Sequence, residues 1–474
     1  MSLRAPLMRE VSASPAQLVW LATHRPDDFP LFLDSAASGE GVARDALGRY
    51  SILFSRAEAA LLLRGDGRLE RQGIALKATD FLAAFDEWWQ SVRVADAGAA
   101  LPFSGGWAVY LSYEMAAFIE TGLKIPAQRC DAICALALRV RAAIIYDHAQ
   151  SRCIIVAEPE AEAQWRVLAD ALASAPAIGL SVPAQAHSAA RLGAALEEQD
   201  EGLFREAVLR AQRYIAAGDI YQANLSRGWR LRAGQGTGQG AGQGAGQLYQ
   251  RLRQANPAPF GALAAFPGIS VLCSSPERLV RVSAGRVDTR PIAGTRARSG
   301  AAGADRDEQS LLLANPKERA EHVMLIDLER NDLGRICRPG SVEVNEFMVT
   351  ESYRHVHHIV SNVRGVLRSG VTPGEVLRAV FPGGTITGCP KYRCMQIIGE
   401  LEAEPRGAYT GSLGFINLDG SMDFNILIRT ATLQGNELEF RAGAGIVADS
   451  DWQRELAETR AKARGMVRAF GAVA

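Results

Sequence analysis

The sequence predicts a mixed α/β (α+β) fold with a large sheet core, and three observations carry that expectation. Short apolar runs bounded by turn signals recur through the first part of the chain. Segments with helical spacing lie between the later apolar runs, through to the end of the 474 residues. No periodic repeat of roughly 20–50 residues is present, which sets solenoids and propellers aside. Hydrophobic residues make up 48% and charged residues 22%, so the chain can bury a sizeable core and is not disordered as a whole.

Residues 1–185 read as an N-terminal sheet-rich region. Tyr50-Ser-Ile-Leu-Phe54, Ala59-Ala-Leu-Leu-Leu63, Trp107-Ala-Val-Tyr-Leu111 and Ala143-Ile-Ile-Tyr146 are expected strands, with a helix over Phe81 to Val92. A helix over about 160–174 precedes a Pro- and Ala-rich connection, Ala175 to His187. Residues 186–474 form the second region, opening with a helix from Glu201 to Ala217 that stops at Gly218. The Gly/Gln run over 232–247 predicts a flexible surface loop, because glycine has the most backbone entropy to lose and nothing in the run can pack. Strands and helices then alternate to a C-terminal helix over about 451–471.

The 52 basic and 52 acidic residues cancel, which removes any bulk electrostatic case for nucleic acid or an acidic membrane surface. No apolar run approaches the roughly 20 residues of a membrane span. The first 22 residues interrupt their apolar positions with Arg4, Arg9 and Glu10, unlike a secretory signal, so a cytoplasmic location is expected. The seven cysteines (Cys130, Cys134, Cys153, Cys273, Cys337, Cys389 and Cys394) contain no Cys-x-x-Cys pair, and reduced cysteines used as small apolar residues are expected.

Residues with chemical potential concentrate in 274–462. Glu318 and Glu321 stand one turn apart on one face of the helix predicted from Asn315 to Gly334. Two such carboxylates can hold Mg²⁺, and they can equally be a solvated pair facing Lys317 and Arg319; this stretch alone leaves both open. In the strand predicted over Arg354 to Gly365, alternation puts His358 on one face and His355 and His357 on the other, too few together for zinc. Phe381-Pro-Gly-Gly-Thr385-Ile-Thr387-Gly388-Cys-Pro-Lys391 lacks the Lys-Ser/Thr of a phosphate loop. Its glycines, hydroxyls and amides before a helix could still take an anion such as a carboxylate. Gly443 and Gly445 mark a strand where something approaches the backbone closely, and Glu458 and Lys462 pair at i,i+4 on the last helix.

Taken together, these strings resemble the chorismate-utilising enzymes: anthranilate synthase component I, aminodeoxychorismate synthase component I, and the isochorismate and salicylate synthases. The matching strings are Gly218-Asp-Ile-Tyr-Gln-Ala-Asn-Leu-Ser226, Ser274-Ser-Pro-Glu-Arg278, Arg290-Pro-Ile-Ala-Gly-Thr-Arg296 and Glu318 through Gly334. To these add His358-Ile-Val-Ser361, Gly384 through Lys391, Ile428-Arg-Thr430, Gly443-Ala-Gly445 and the early Phe103 through Glu114. The resemblance implies one body of two intertwined, sheet-containing halves that binds Mg²⁺ and chorismate. It makes Glu321 and Glu458 magnesium ligands, with Glu318 supporting the metal's water shell. Tyr409, Arg429, Gly443, Gly445 and Lys462 match positions that bind the substrate's two carboxylates, and Gly294, Thr295 and Thr385 match further substrate contacts. Glu277 matches a general acid/base, and His358 matches the histidine near the ring in anthranilate-forming members.

Within the resemblance, Gln222 stands where the water-using members place a lysine base. A carboxamide cannot deprotonate water, so ammonia is the expected nucleophile. Gln-Ala-Asn-Leu-Ser and Leu33-Asp-Ser35 look more like aminodeoxychorismate synthase than anthranilate synthase, and 4-amino-4-deoxychorismate for 4-aminobenzoate and folate synthesis is the expected product. Ala293 departs from that pattern, which has a nucleophilic lysine there, and matches anthranilate synthases instead. No Gly-x-Cys-x-Gly glutaminase elbow surrounds any cysteine, so the resemblance implies a separate glutamine amidotransferase subunit. Asp34 and Ser35 point weakly to a tryptophan pocket in the N-terminal half. A catalytically dead chorismate- or tryptophan-binding regulator is the reading from a different class; retention of Glu318, Glu321, Glu458, Arg429 and Lys462 together speaks against it.

Overall fold

Period-two alternation along the strands decides the layers. In Tyr50–Phe54, Ile52 and Phe54 join a core shared by two sheets, while Leu53 turns to a core shared with helices. In Gly106–Leu111, Ala108 and Tyr110 face the other sheet, and Trp107, Val109 and Leu111 face helices. The computed structural model describes residues 5–36, 48–95, 101–176, 196–232, 241–298, 302–352 and 356–471. Its described residues form two twelve-stranded sheets, stacked face to face, with helices on both outer faces.

Among the described residues every strand pairing is antiparallel, which makes this the α+β form of the expected class. Strands from both ends of the chain share each sheet. Leu31–Asp34 lies beside Phe260–Phe266 in one, and Gly106–Leu111 beside Ser412–Asn417 in the other. The halves are therefore intertwined, and neither sheet closes without the other half's strands. Helix Phe81–Val92, capped by Asp80 accepting from the Ala83 amide, seats Phe85 and Trp88 edge-on against Trp107 at 5.4 and 5.5 Å. No helix among the described residues is long and apolar enough to cross a membrane.

The Gly/Gln run is not a loop throughout. Residues 233–240 lie outside the described residues, but Ala241–Ala255 is a helix in which Ala245 is buried. Glycine weakens a helix, yet at Gly246 a Cβ would sit 2.4 Å from Thr23 Cγ2, so its absence lets this helix lie against Pro15–His24. Packing of Tyr249 and Leu252 into the core outweighs poor local propensity. That helix also brings Tyr249 and Arg253 onto the buried Asp34, which accepts from both and from Ser51. Ser35 donates to the carbonyls of Tyr50 and Pro259. The polar atoms offered as pointers to tryptophan are thus engaged within the chain.

Candidate functional site

The site forms where the strands Gln222–Arg232 and Glu437–Ile446 run side by side, with the start of helix Pro316–Gly334 reaching Gln222 and helix Trp452–Ala469 packed along the second strand. Asn315 caps the first helix by accepting from the Lys317 amide, with Pro316 at its first position. The core-facing residues His322, Ile326, Glu329 and Leu333 fix its rotation and leave Glu318 and Glu321 at the N-terminal end. Gln222 Nε2 donates to Glu321 Oε1 at 2.7 Å. Gly445 makes room for that pair: a Cβ there would lie 2.3 Å from Gln222 Nε2 and 3.6 Å from Glu321 Oε1. A groove of about 1070 Å³ opens beside them, lined by Tyr221, Gln222, Glu321, Met324, Pro390 and Val447 among others.

Glu318 lies against Gly294, where a Cβ would come within 2.9 Å of its Oε2. Gly294 has φ +61° at a bulge in Ile292–Ala297, so its conformation as well as its missing side chain calls for glycine. Its carbonyl accepts from His358 Nδ1 at 3.1 Å. A carbonyl can only accept, so the proton sits on Nδ1 and the lone pair on Nε2. Burial, then the positive charge of Arg429, lowers the His358 pKa to about 4, and the ring is neutral at pH 7. His357 faces away, towards Ser352 and Gln309, as alternation along the strand requires; His355 lies outside the described residues. Thr295 pairs with His358 in the register, and the buried Ala293 pairs with Ile359.

Glu277 is buried and accepts from Thr385 Oγ1 at 2.7 Å. Burial raises its pKa to about 7, against the opposing pull of Thr385, the Ile292 amide, Lys462 and Arg429. Because Arg429 and Lys462 act on both Glu277 and His358, the structure brings the four together. Arg429 holds φ +50°, an uncommon backbone state for a residue with a side chain. Lys462 donates to the Gly443 carbonyl at 3.0 Å and pairs with Glu458 at 2.7 Å. A Cβ on Gly443 would lie 2.7 Å from the Tyr409 hydroxyl.

Three groups that sequence reasoning missed support this arrangement. Arg406, fully enclosed, makes two bonds to Glu402 (2.7 and 2.9 Å), one to the Asn224 carbonyl (2.7 Å) and one to the Ile386 carbonyl (3.3 Å). It also stacks over Tyr113 and Tyr409, so one guanidinium ties together three walls of the site. Glu329 is buried near Glu277, and burial with the neighbouring Asp332 raises its pKa to about 8. Lys391 pairs with Asp332 beneath it. Only a helical-face count from Glu318 could have found Glu329; the Arg406 contacts reach Asn224, 182 positions away, and Tyr113, farther still, and carry no local signal.

The segment read as a possible anion loop is closely packed. Phe381 to Gly384 and Ile386 to Gly388 are buried, Thr387 Oγ1 donates to the Gly383 carbonyl, and Gly388 pairs with Ala223. The segment packs under the strand Gln222–Arg232, with the amides of Tyr221 and Asn224 donating to its Cys389 and Thr387 carbonyls, and the Thr385 hydroxyl donates to Glu277.

Among the described residues no three His, Cys, Asp or Glu side chains form a ready-made metal cage. The carboxylates nevertheless suit a hard cation. Burial and then the charges of Glu321 and Glu458 raise the Glu318 pKa, an unmet repulsion that a divalent ion would relieve. Mg²⁺ takes one or two protein carboxylates and keeps several waters, so a preformed cage is not required.

A stacked antiparallel body whose site brings Glu318, Glu321 and Glu458 together with Arg429, Lys462 and Tyr409 is suited to a small dianion. The family model for chorismate binding enzymes matches residues 49–468, and the chain belongs to that family. It is 37% identical over 444 residues to the aminodeoxychorismate synthase component 1 of Bacillus subtilis (strain 168), covering 89% of each chain. It is 34% identical over 488 residues to the anthranilate synthase component 1 of Pseudomonas putida, covering 98% of this chain and 95% of that one. The crystal structure of anthranilate synthase component I from Streptococcus pneumoniae TIGR4 superposes with TM-score 0.76 at 31% identity, covering 89% of this chain and 92% of that chain. The protein is a chorismate-utilising enzyme.

Proposed function

We propose that this enzyme aminates chorismate with ammonia to give 4-amino-4-deoxychorismate, as the synthase component of an aminodeoxychorismate synthase. The observation that carries the reading is Gln222: a buried carboxamide donating to Glu321, with no amine base in its place. Such a group orients a nucleophile and cannot ionise water, so the nucleophile must arrive ready. Glu277, poised near pH 7, protonates the departing 4-hydroxyl. Arg429, Lys462 and Tyr409, with the amides of Gly443 and Gly445, take the two carboxylates, Arg429 through a planar fork. Glu318, Glu321 and Glu458 would hold Mg²⁺, which supplies charge neutralisation at a bound carboxylate. A separate glutamine amidotransferase would supply the ammonia.

His358 favours a second reading. A neutral imidazole with its lone pair on Nε2 could accept the ring proton of an aminated intermediate as the enolpyruvyl C–O bond breaks, which aromatises the ring and gives anthranilate and pyruvate. The test is product identification from chorismate, Mg²⁺ and ammonium salt, with and without aminodeoxychorismate lyase. Lyase-dependent 4-aminobenzoate supports the first reading. Anthranilate fluorescence without the lyase supports the second and overturns the first. Chorismate untouched in both, also with an amidotransferase and glutamine present, leaves a binder.

A further inference from the structure

Asn224 lies two residues beyond Gln222 on the same strand, so the two carboxamides share a face. Its backbone is pinned on both sides: its amide donates to the Thr387 carbonyl at 2.9 Å, and its carbonyl accepts from Arg406 at 2.7 Å. The side chain reaches over the neighbouring strand, and a Cβ added to Gly443 would lie 2.5 Å from Asn224 Oδ1 and 2.7 Å from the Tyr409 hydroxyl. Oδ1 is buried, yet no described residue donates to it, and Gln222 Oε1 is in the same condition. Two buried carbonyl oxygens without donors on one strand face are uncommon in a folded protein and call for an explanation. Both stand over the glycines at which the site opens, so a ligand with O–H or N–H groups would supply what the chain does not.

We propose that Asn224 is a substrate-contacting residue of this site, its Oδ1 accepting a hydrogen bond from a hydroxyl or amine of the bound cyclohexadiene. The inference rests on the reading of the site as one that turns over chorismate. Arg406 is then a positioning residue, since it fixes the backbone that carries this side chain.

The test replaces Asn224 with a side chain of the same heavy-atom count and no acceptor. In Asn224→Leu, kcat/KM for chorismate with ammonium and Mg²⁺ should fall at least tenfold, while the unfolding midpoint without substrate holds or rises, because an unsatisfied buried polar group has been removed. Asn224→Ala should show the same loss of kcat/KM without added bulk beside Tyr409. A merely structural asparagine would give the reverse: a lowered midpoint with kcat/KM kept among folded molecules. If both variants keep kcat/KM within twofold of the parent, the proposal is wrong. If the parent itself consumes no chorismate, the reading of the site has failed instead, and that outcome is separate from any effect at Asn224.

Discussion

Replacing Glu277 with Gln should separate catalysis from stability. The parent carboxyl has an ordinary value of 4.5 and is raised to about 7 by burial. At 1.36 kcal/mol per pH unit, holding it in this environment costs about 3 kcal/mol once the unfolded chain is ionised. The sign follows from the raised value. The contribution is intact below pH 4.5, is lost as the pH rises towards 7, and changes little above that. Gln has the same shape, and its carbonyl can still accept from Thr385 Oγ1, so Glu277→Gln should be more stable than the parent at pH 8, by up to about 3 kcal/mol, and nearly equal to it at pH 4. Its activity should fall by roughly 10²–10⁴-fold, the range for losing a general acid. With free ammonia held constant across the pH series, parent activity should decline as the pH rises through about 7, because the protonated form is the donor. Chemical denaturation at both pH values and initial rates of chorismate consumption across pH 5.5–9 (roughly a pH unit or more either side of the raised value) make the assay. A variant that keeps its rate within threefold, or a parent whose rate at constant free ammonia climbs steadily through pH 7 to 9, would refute the role given to Glu277.

Other expectations follow from particular contacts. Gly445→Ala puts a methyl 2.3 Å from Gln222 Nε2. That end of the side chain can swing away at little structural cost, so kcat should drop on the order of 10²-fold with the fold intact; an unaffected rate would show that the Gln222–Glu321 bond is dispensable. Ala293→Lys introduces the nucleophile missing from this strand and should raise 4-amino-4-deoxychorismate formation, measured by mass spectrometry of the product mixture. Unchanged rates in a folded variant would sink that idea.

Much of the architecture was legible locally. The strands at Tyr50, Ala59, Trp107 and Ala143 and the helix over Phe81–Val92 form where alternation and helical spacing put them, because each buries one face and the period of the apolar residues reports which. The Gly/Gln run misled because a helix with weak propensity forms when a neighbour packs onto it: Gly246 matters through Thr23, more than 200 positions away. The segment Phe381 to Lys391 shows the same dependence, since the amides of Tyr221 and Asn224, far off in the chain, donate to its Cys389 and Thr387 carbonyls.

The sequence by itself determined the elements, the family and the inventory of acids, bases and glycines, because these are local patterns or ordered motifs. Only the tertiary structure decided what those groups do to one another. That Glu277 is poised between its protonated and ionised forms near pH 7, that His358 is uncharged with its proton on Nδ1, and that Asn224 and Gln222 carry buried carbonyl oxygens without donors among the described residues are consequences of burial and of partners brought in from other strands. Desolvation and hydrogen bonding depend on what surrounds a group in space, and the order of residues along the chain does not specify that surrounding until the sheets are closed.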